Sequence, residues 1–192
     1  MIKMQSLFFP VFMIIVLGIA GCSRNTLELK TTQDHFEPKQ GQTPLHVGLA
    51  VGSTPPDFEI TTTANQQVRL HSFGEQQKPV LVYFMTTWCP YCAQDFTVLS
   101  SVYSEYENEV PIVVMSLDLS EDATVLMEYQ QKYPTLEKVI FAPGKASILI
   151  DYSVRTTTTK YAIGRNGKIL YAGSGAFTEA QWKILLEALR NS

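Results

Sequence analysis

The hydrophobic pattern changes character twice along the chain. An apolar stretch runs from Leu7 to Ala20, broken only by Pro10 and Gly18 and preceded by Lys3. A polar stretch with no sustained period follows from Ser23 to Thr54, carrying Pro38, Gly41, Pro44 and Gly48. From Pro55 onward the pattern is that of a folded domain. Asp57 to Thr61 and Gln67 to Leu70 read as two short strands around a turn at Ala64-Asn65. Val80 to Met85 and Pro111 to Leu117 are continuous apolar runs of strand length, as strands buried on both faces require.

Between those two runs, Phe96, Leu99, Tyr103 and Tyr106 share one helical face, predicting a helix from Pro90 to about Tyr106. Pro90 suits its first turn, where the missing N–H would have no partner anyway. Ala123, Leu126, Met127 and Gln130 mark a second helix after the acidic cap region Glu121-Asp122. Val139 to Phe141 reads as a short strand and Ala146 to Tyr152 as a short helix. The β-branched run Thr156 to Thr159 is expected to enter a strand. Asn166-Gly167, between Tyr161 to Gly164 and Lys168 to Ala172, signals a hairpin. Thr178 with Gln181 forms a capping box, Phe177 can staple onto Trp182, and Leu185, Leu186 and Leu189 continue the apolar face of a closing helix. The order implies an α/β fold, a central mixed sheet with helices on both faces and an extra N-terminal β-hairpin.

A chain of 192 residues with 45% hydrophobic composition accommodates one ordinary domain plus a tail. Its net charge of −3 and the absence of a Lys/Arg run argue against a nucleic-acid partner.

The chemistry concentrates in Trp88-Cys89-Pro90-Tyr91-Cys92, which sits where the strand ending at Met85 gives way to a helix. Unpaired N–H groups and the dipole at a helix N-terminus lower a thiol's pKa, so this placement favours a redox pair. Half of a zinc site is the competing reading. Structural zinc takes four ligands, and the chain offers three cysteines with only His35, His46 and His71 beside them. No cofactor is implied.

The leader carries its own signal. At about 14 residues, Leu7 to Ala20 is short for a spanning helix and suits the apolar region of a signal peptide. Ile19-Ala20-Gly21-Cys22 resembles the lipobox of bacterial lipoproteins, which implies acylation of Cys22 as the mature N-terminus. The expected organisation is a signal peptide over residues 1–21, a lipidated Cys22 and tether over 22–54, and a domain over 55–192. A tether of that length spans roughly 30 Å root-mean-square. An alternative is that Leu45 to Val51 packs onto the domain as an extra strand. The expected location is the cell envelope, anchored to a membrane, with the domain on the periplasmic or extracellular side. Setting Cys22 aside leaves only the motif pair, so no structural disulfide is available and the core must carry stability.

Together these features, with the entry Pro55-Pro56-Asp57-Phe58, resemble the TlpA/ResA group of membrane-tethered, thioredoxin-like thiol-disulfide oxidoreductases. The likeness covers roughly Pro55 to Arg190. It implies that Cys89 is the nucleophile and Cys92 the resolving thiol, with exported protein thiols or disulfides as clients and a membrane electron-transfer partner. It further implies a reducing role of the cytochrome-maturation kind. Trp88, Pro90 and Tyr91 would shape the docking surface and tune the pair. Asp95 matches the acidic position of the group's Cys-x-x-Cys-x-x-Glu pattern. It is either a buried carboxylate of raised pKa exchanging a proton with Cys92 or a solvated Asp near a helix N-terminus. Tyr83 stands where thioredoxins often carry a buried Asp, which removes that route for proton handling.

One departure stands out. The superfamily places a cis-proline beside the sulfurs, and Thr158 occupies that position here. A cis bond before a non-proline residue costs about 3 to 4 kcal/mol, so the Thr157-Thr158 peptide is expected to be trans or strained. Because that loop normally pairs with the substrate chain, Thr157 and Thr158 are candidate docking residues. Loss of the proline opens a non-enzymatic alternative, carriage of a soft metal by the two thiols. A second enzymatic alternative is a thiol peroxidase, because Thr86-x-x-Cys89 resembles the peroxiredoxin Thr-x-x-Cys motif. Val82 replaces its proline, and no arginine follows at a matching position.

Overall fold

The computed structural model describes residues 47–192. The expected signal peptide, the expected lipidation site Cys22 and most of the expected tether lie outside the described residues. Among the described residues no helix is long and apolar enough to cross a membrane.

The central sheet has five strands in the order β5-β4-β3-β6-β7, formed by β3 (Val80–Met85), β4 (Ile112–Ser116), β5 (Ile140–Ala142), β6 (Thr159–Ile163) and β7 (Ile169–Gly173). β3 pairs in parallel with β4 and antiparallel with β6, so the sheet is mixed. Every residue of β3 is buried, as its unbroken apolar run requires. Its side chains alternate between two cores. Leu81, Tyr83 and Met85 join one face with α2 (Pro90–Val102) and α5 (Glu179–Arg190). Val80, Val82 and Phe84 join the other, with α4 (Ala146–Asp151) and the hairpin β1 (Glu59–Thr61) and β2 (Gln67–Arg69).

The expected elements are present with shifted ends. The helix expected to reach Tyr106 ends at Val102 and tightens into a 3₁₀ turn over Tyr103–Glu105. The second helix, α3 (Ala123–Gln130), is capped by Asp122, whose carboxylate accepts from the N–H groups of Thr124 and Val125. A short helix α1 (His71–Glu75) follows β2 and was not expected. It buries none of its residues, so it leaves no apolar period to read.

Two expectations require correction. Of the threonine run only Thr159 enters a strand, while Thr156 to Thr158 form a turn. The tether does not stay free up to Thr54. Val47 bridges Thr54, Gly52 N–H donates to Ile169 O at 2.8 Å, and Ile169 N–H donates to Ser53 O at 2.9 Å. Residues 47–54 are thereby bound to the start of β7, because that outer strand has backbone groups to offer.

Candidate active site

The site is built where β3 stops and α2 begins. Cys89 is the N-cap of α2 (φ −79°, ψ 118°), and its Sγ accepts the Cys92 N–H at 3.3 Å. A sulfur thus fills the capping role usually taken by oxygen, placing its charge on the helix axis. The approach loop is pinned from the β4–α3 connection. Buried Glu121 accepts from the Thr87 N–H at 2.9 Å, the Thr87 hydroxyl at 2.5 Å and the Ser116 hydroxyl at 2.5 Å. The Trp88 indole donates to Asp118 Oδ2 at 3.0 Å. Trp88 and Tyr91 stand 69% and 67% exposed, so both belong to the rim of the site and neither to the core.

Both thiols are free, and each shifts the other's pKa. Cys92 is fully buried, whereas Cys89 keeps 4% of its surface open. Burial works against the Cys89 thiolate, but hydrogen bonds from Thr157, Cys92 and the N–H groups of Cys92 and Tyr91 outweigh it and hold the thiol below its usual range. Burial pushes the Cys92 thiol up to about 11, assisted by Cys89 and opposed by the Thr86 N–H and the Tyr83 hydroxyl.

The loop opposite Cys89 meets the expectation for position 158, with a trans Thr157-Thr158 peptide. All peptide bonds among the described residues are trans, and Thr158 takes φ +61°, an outlier for a β-branched residue. Its conformation is held on three sides. Its hydroxyl accepts the Gly175 N–H at 2.9 Å and donates to Thr157 O at 2.5 Å, and its carbonyl accepts from Lys160 Nζ at 3.2 Å. The consequence is that Thr157 is the residue that meets the sulfur, its Oγ1 3.1 Å from Cys89 Sγ. The neutral thiol donates to this hydroxyl, which can turn and donate once the sulfur is charged.

Asp95 is fully buried, which excludes the solvated alternative. Its Oδ1 accepts from the Trp182 indole at 2.8 Å and the Phe177 N–H at 2.9 Å. Its Oδ2 accepts from the Tyr83 hydroxyl at 3.0 Å and pairs with Lys160 Nζ at 2.5 Å. Lys160 has no exposed surface; its ammonium lies 4.5 Å from the Tyr83 ring centroid, 4.4 Å from Phe177 and 5.2 Å from Trp182. Burial lowers the Lys160 pKa, against the pull of Asp95.

Sequence reasoning named Cys89, Cys92 and Asp95, all of which lie on α2 or at its start, but did not name Lys160 and discounted Tyr83. A signal existed for the lysine, since it is a lone charge inside the run Thr159 to Ile163. Tyr83 and Lys160 are direct partners in the β3–β6 register, so their side chains share one face of the sheet. Among the described residues no three His, Cys, Asp or Glu side chains converge as a metal site.

A strand-to-helix dithiol over a buried carboxylate, set on this mixed sheet, defines a thioredoxin-like redox protein. The chain belongs to the AhpC/TSA family, whose model matches residues 51–172. It is similar to the thioredoxin-like protein YneN of Bacillus subtilis, 28% identical over 39% of this chain and 43% of that protein, so under half of that relative is spanned. It is also similar to the thiol-disulfide oxidoreductase ResA of Geobacillus thermodenitrificans, 23% identical over 74% of this chain and 79% of that one. The fold matches the crystal structure of a thiol:disulfide interchange protein of the thioredoxin family from Chlorobium tepidum. That match has a TM-score of 0.63 at 15% identity, covering 73% of this chain and 98% of the other.

Proposed function

We propose that this protein is a thiol-disulfide oxidoreductase that exchanges disulfides with exported proteins, acting as a reductant from a membrane tether. The observation that carries the reading is the opposite treatment of two adjacent sulfurs. Cys89 keeps a small open surface, 4%, and a lowered pKa, whereas Cys92 has none and a raised one. The Cys89 thiolate attacks a client disulfide, releasing one client thiolate and forming a mixed disulfide. Cys92 then loses its proton and attacks Cys89 Sγ, which releases the second client thiolate and leaves the Cys89–Cys92 disulfide. The pair is oxidised by two electrons and the client disulfide is reduced. Asp95 serves as the carboxylate that takes up the Cys92 proton.

A raised Cys92 pKa means that the reduced form gains little from a second thiolate, which supports a reducing direction. Clients of the cytochrome-maturation kind and a membrane electron donor follow from the likeness to the TlpA/ResA group. Anchoring rests on the leader and Cys22, with the domain in the cell envelope. Trp88, Pro90, Tyr91 and Thr157 form the docking rim, whereas Thr158, expected there, is buried and holds the loop from within through the Gly175 N–H.

Insulin reduction combined with a redox titration of Cys89/Cys92 tests the reading. A potential below about −250 mV with turnover of insulin is expected; one near −120 mV would make the protein an oxidant instead. Anchoring is tested separately, because Cys22→Ala is expected to abolish labelling by radioactive palmitate and release the protein from membranes.

Peroxide reduction is a second reading, favoured by the Thr86 hydroxyl, which is buried without a hydrogen-bond partner three residues before Cys89. Consumption of hydrogen peroxide at a rate exceeding disulfide exchange would move it to first place.

A further inference from the structure

The resolving thiol needs somewhere to send its proton, and both carboxylate oxygens of Asp95 are already engaged by four donors. Of the groups around that carboxylate, the Tyr83 hydroxyl bonds to Asp95 Oδ2 at 3.0 Å, and Tyr83 and Cys92 are fully buried in the same core cluster, where each shifts the other's pKa. Its ring is fixed on three sides, 5.3 Å from Phe96, 6.4 Å from Trp182 and under the Lys160 ammonium. A hydroxyl held so firmly, bonded to the carboxylate and buried with the thiol, can serve as a relay, since it can accept one proton while giving up another.

We propose that Tyr83 carries the proton between Cys92 and Asp95, with Lys160 as the positioning residue that holds the carboxylate ready to receive it. The inference rests on the dithiol-exchange reading and names how its second step is served. When Cys92 attacks the mixed disulfide, its S–H proton passes to the Tyr83 oxygen while the Tyr83 proton passes to Asp95 Oδ2. Tyr83 ends as a neutral phenol and Asp95 as a carboxylic acid. The Cys92 electron pair forms the bond to Cys89 Sγ, and the pair of the broken bond leaves with the client sulfur. The reverse transfer returns the proton when the disulfide is reduced. Burial and the nearby Asp95 and Cys92 charges push the Tyr83 pKa far up, so the phenolate is never a resting state. Strand position 83 therefore does take part in proton handling, by shuttling to a carboxylate supplied by α2.

The test uses the reduced full chain and the chromogenic disulfide dithionitrobenzoate in a stopped-flow mixer. The first thionitrobenzoate release reports attack by Cys89, and the second reports resolution by Cys92. In Tyr83→Phe the second release is expected to slow about 100-fold at pH 7, the usual scale of general acid–base catalysis. The deficit should shrink as the pH rises toward the Cys92 value of about 11, because hydroxide then removes the proton directly. Asp95→Asn should show the same pH-dependent deficit, and the double variant should be no slower than either single one, because all three cut one path. A normal second release in Tyr83→Phe beside a slow one in Asp95→Asn would overturn the relay. So would deficits that multiply in the double variant, or loss of the first release in Tyr83→Phe, which would make the hydroxyl structural. Absence of both releases in the unaltered protein would instead refute the dithiol-exchange reading itself.

Discussion

At the scale of single residues, the site is governed by two short contacts. Thr157 Oγ1 beside Cys89 Sγ supplies the donor that a thiolate needs once burial has removed water. Thr157→Val removes that donor, destabilises the anion and raises the thiol pKa, so the thiolate fraction at neutral pH falls. Iodoacetamide labelling of Cys89 at pH 7 is expected to slow about tenfold, matching a charge-assisted hydrogen bond of about 1.5 kcal/mol, with the whole profile moved to higher pH. The second contact is the buried Asp95–Lys160 pair. Lys160→Met leaves an uncompensated carboxylate and should cost about 3 to 5 kcal/mol in urea unfolding. Asp95→Leu with Lys160→Met together should come out near neutral or more stable. A stable double variant that resolves mixed disulfides slowly would locate the pair's value in chemistry and outside folding. Neither contact was readable from spacing, because Thr157 and Lys160 reach the sulfurs and Asp95 only through the tertiary packing of β6 against β3 and α2.

At the scale of elements, what was legible is what local physics decides. The apolar runs of β3 and β4, the start of α2 at Pro90 and the capping box at Thr178 were each readable from adjacent residues. The box forms as expected, with Phe177 stapled to Trp182 at a centroid distance of 5.3 Å. It also aims the Trp182 indole at Asp95, so an ordinary helix cap helps fix the buried carboxylate. Thr178→Ala is expected to lower stability by about 1 kcal/mol, measured by urea unfolding. The threonine turn before β6 was misread because β-branched residues favour strands in general. Here Thr158 is held at positive φ by Gly175 and Lys160, partners distant or unremarkable in the sequence. The docking of residues 47–54 on β7 was held only as an alternative, a strand over Leu45 to Val51, since its bonds are backbone to backbone and leave no side-chain pattern.

At the scale of the whole molecule, the sheet is a frame that holds two sulfurs at different depths. β3 delivers the Cys89 loop, the β4–α3 connection ties that loop down through Glu121 and Asp118, and β6 presents the threonine turn from the other side. α5 closes the far wall over Asp95. On the proposed function exchange has a fixed order, because only Cys89 keeps any open surface. The most direct measurement is covalent trapping. Cys92→Ser protein, mixed with envelope extract and resolved without reductant, is expected to accumulate adducts that reductant releases and that peptide mapping assigns to Cys89. Equal trapping by Cys89→Ser through Cys92, or no adducts with either variant, would contradict the account.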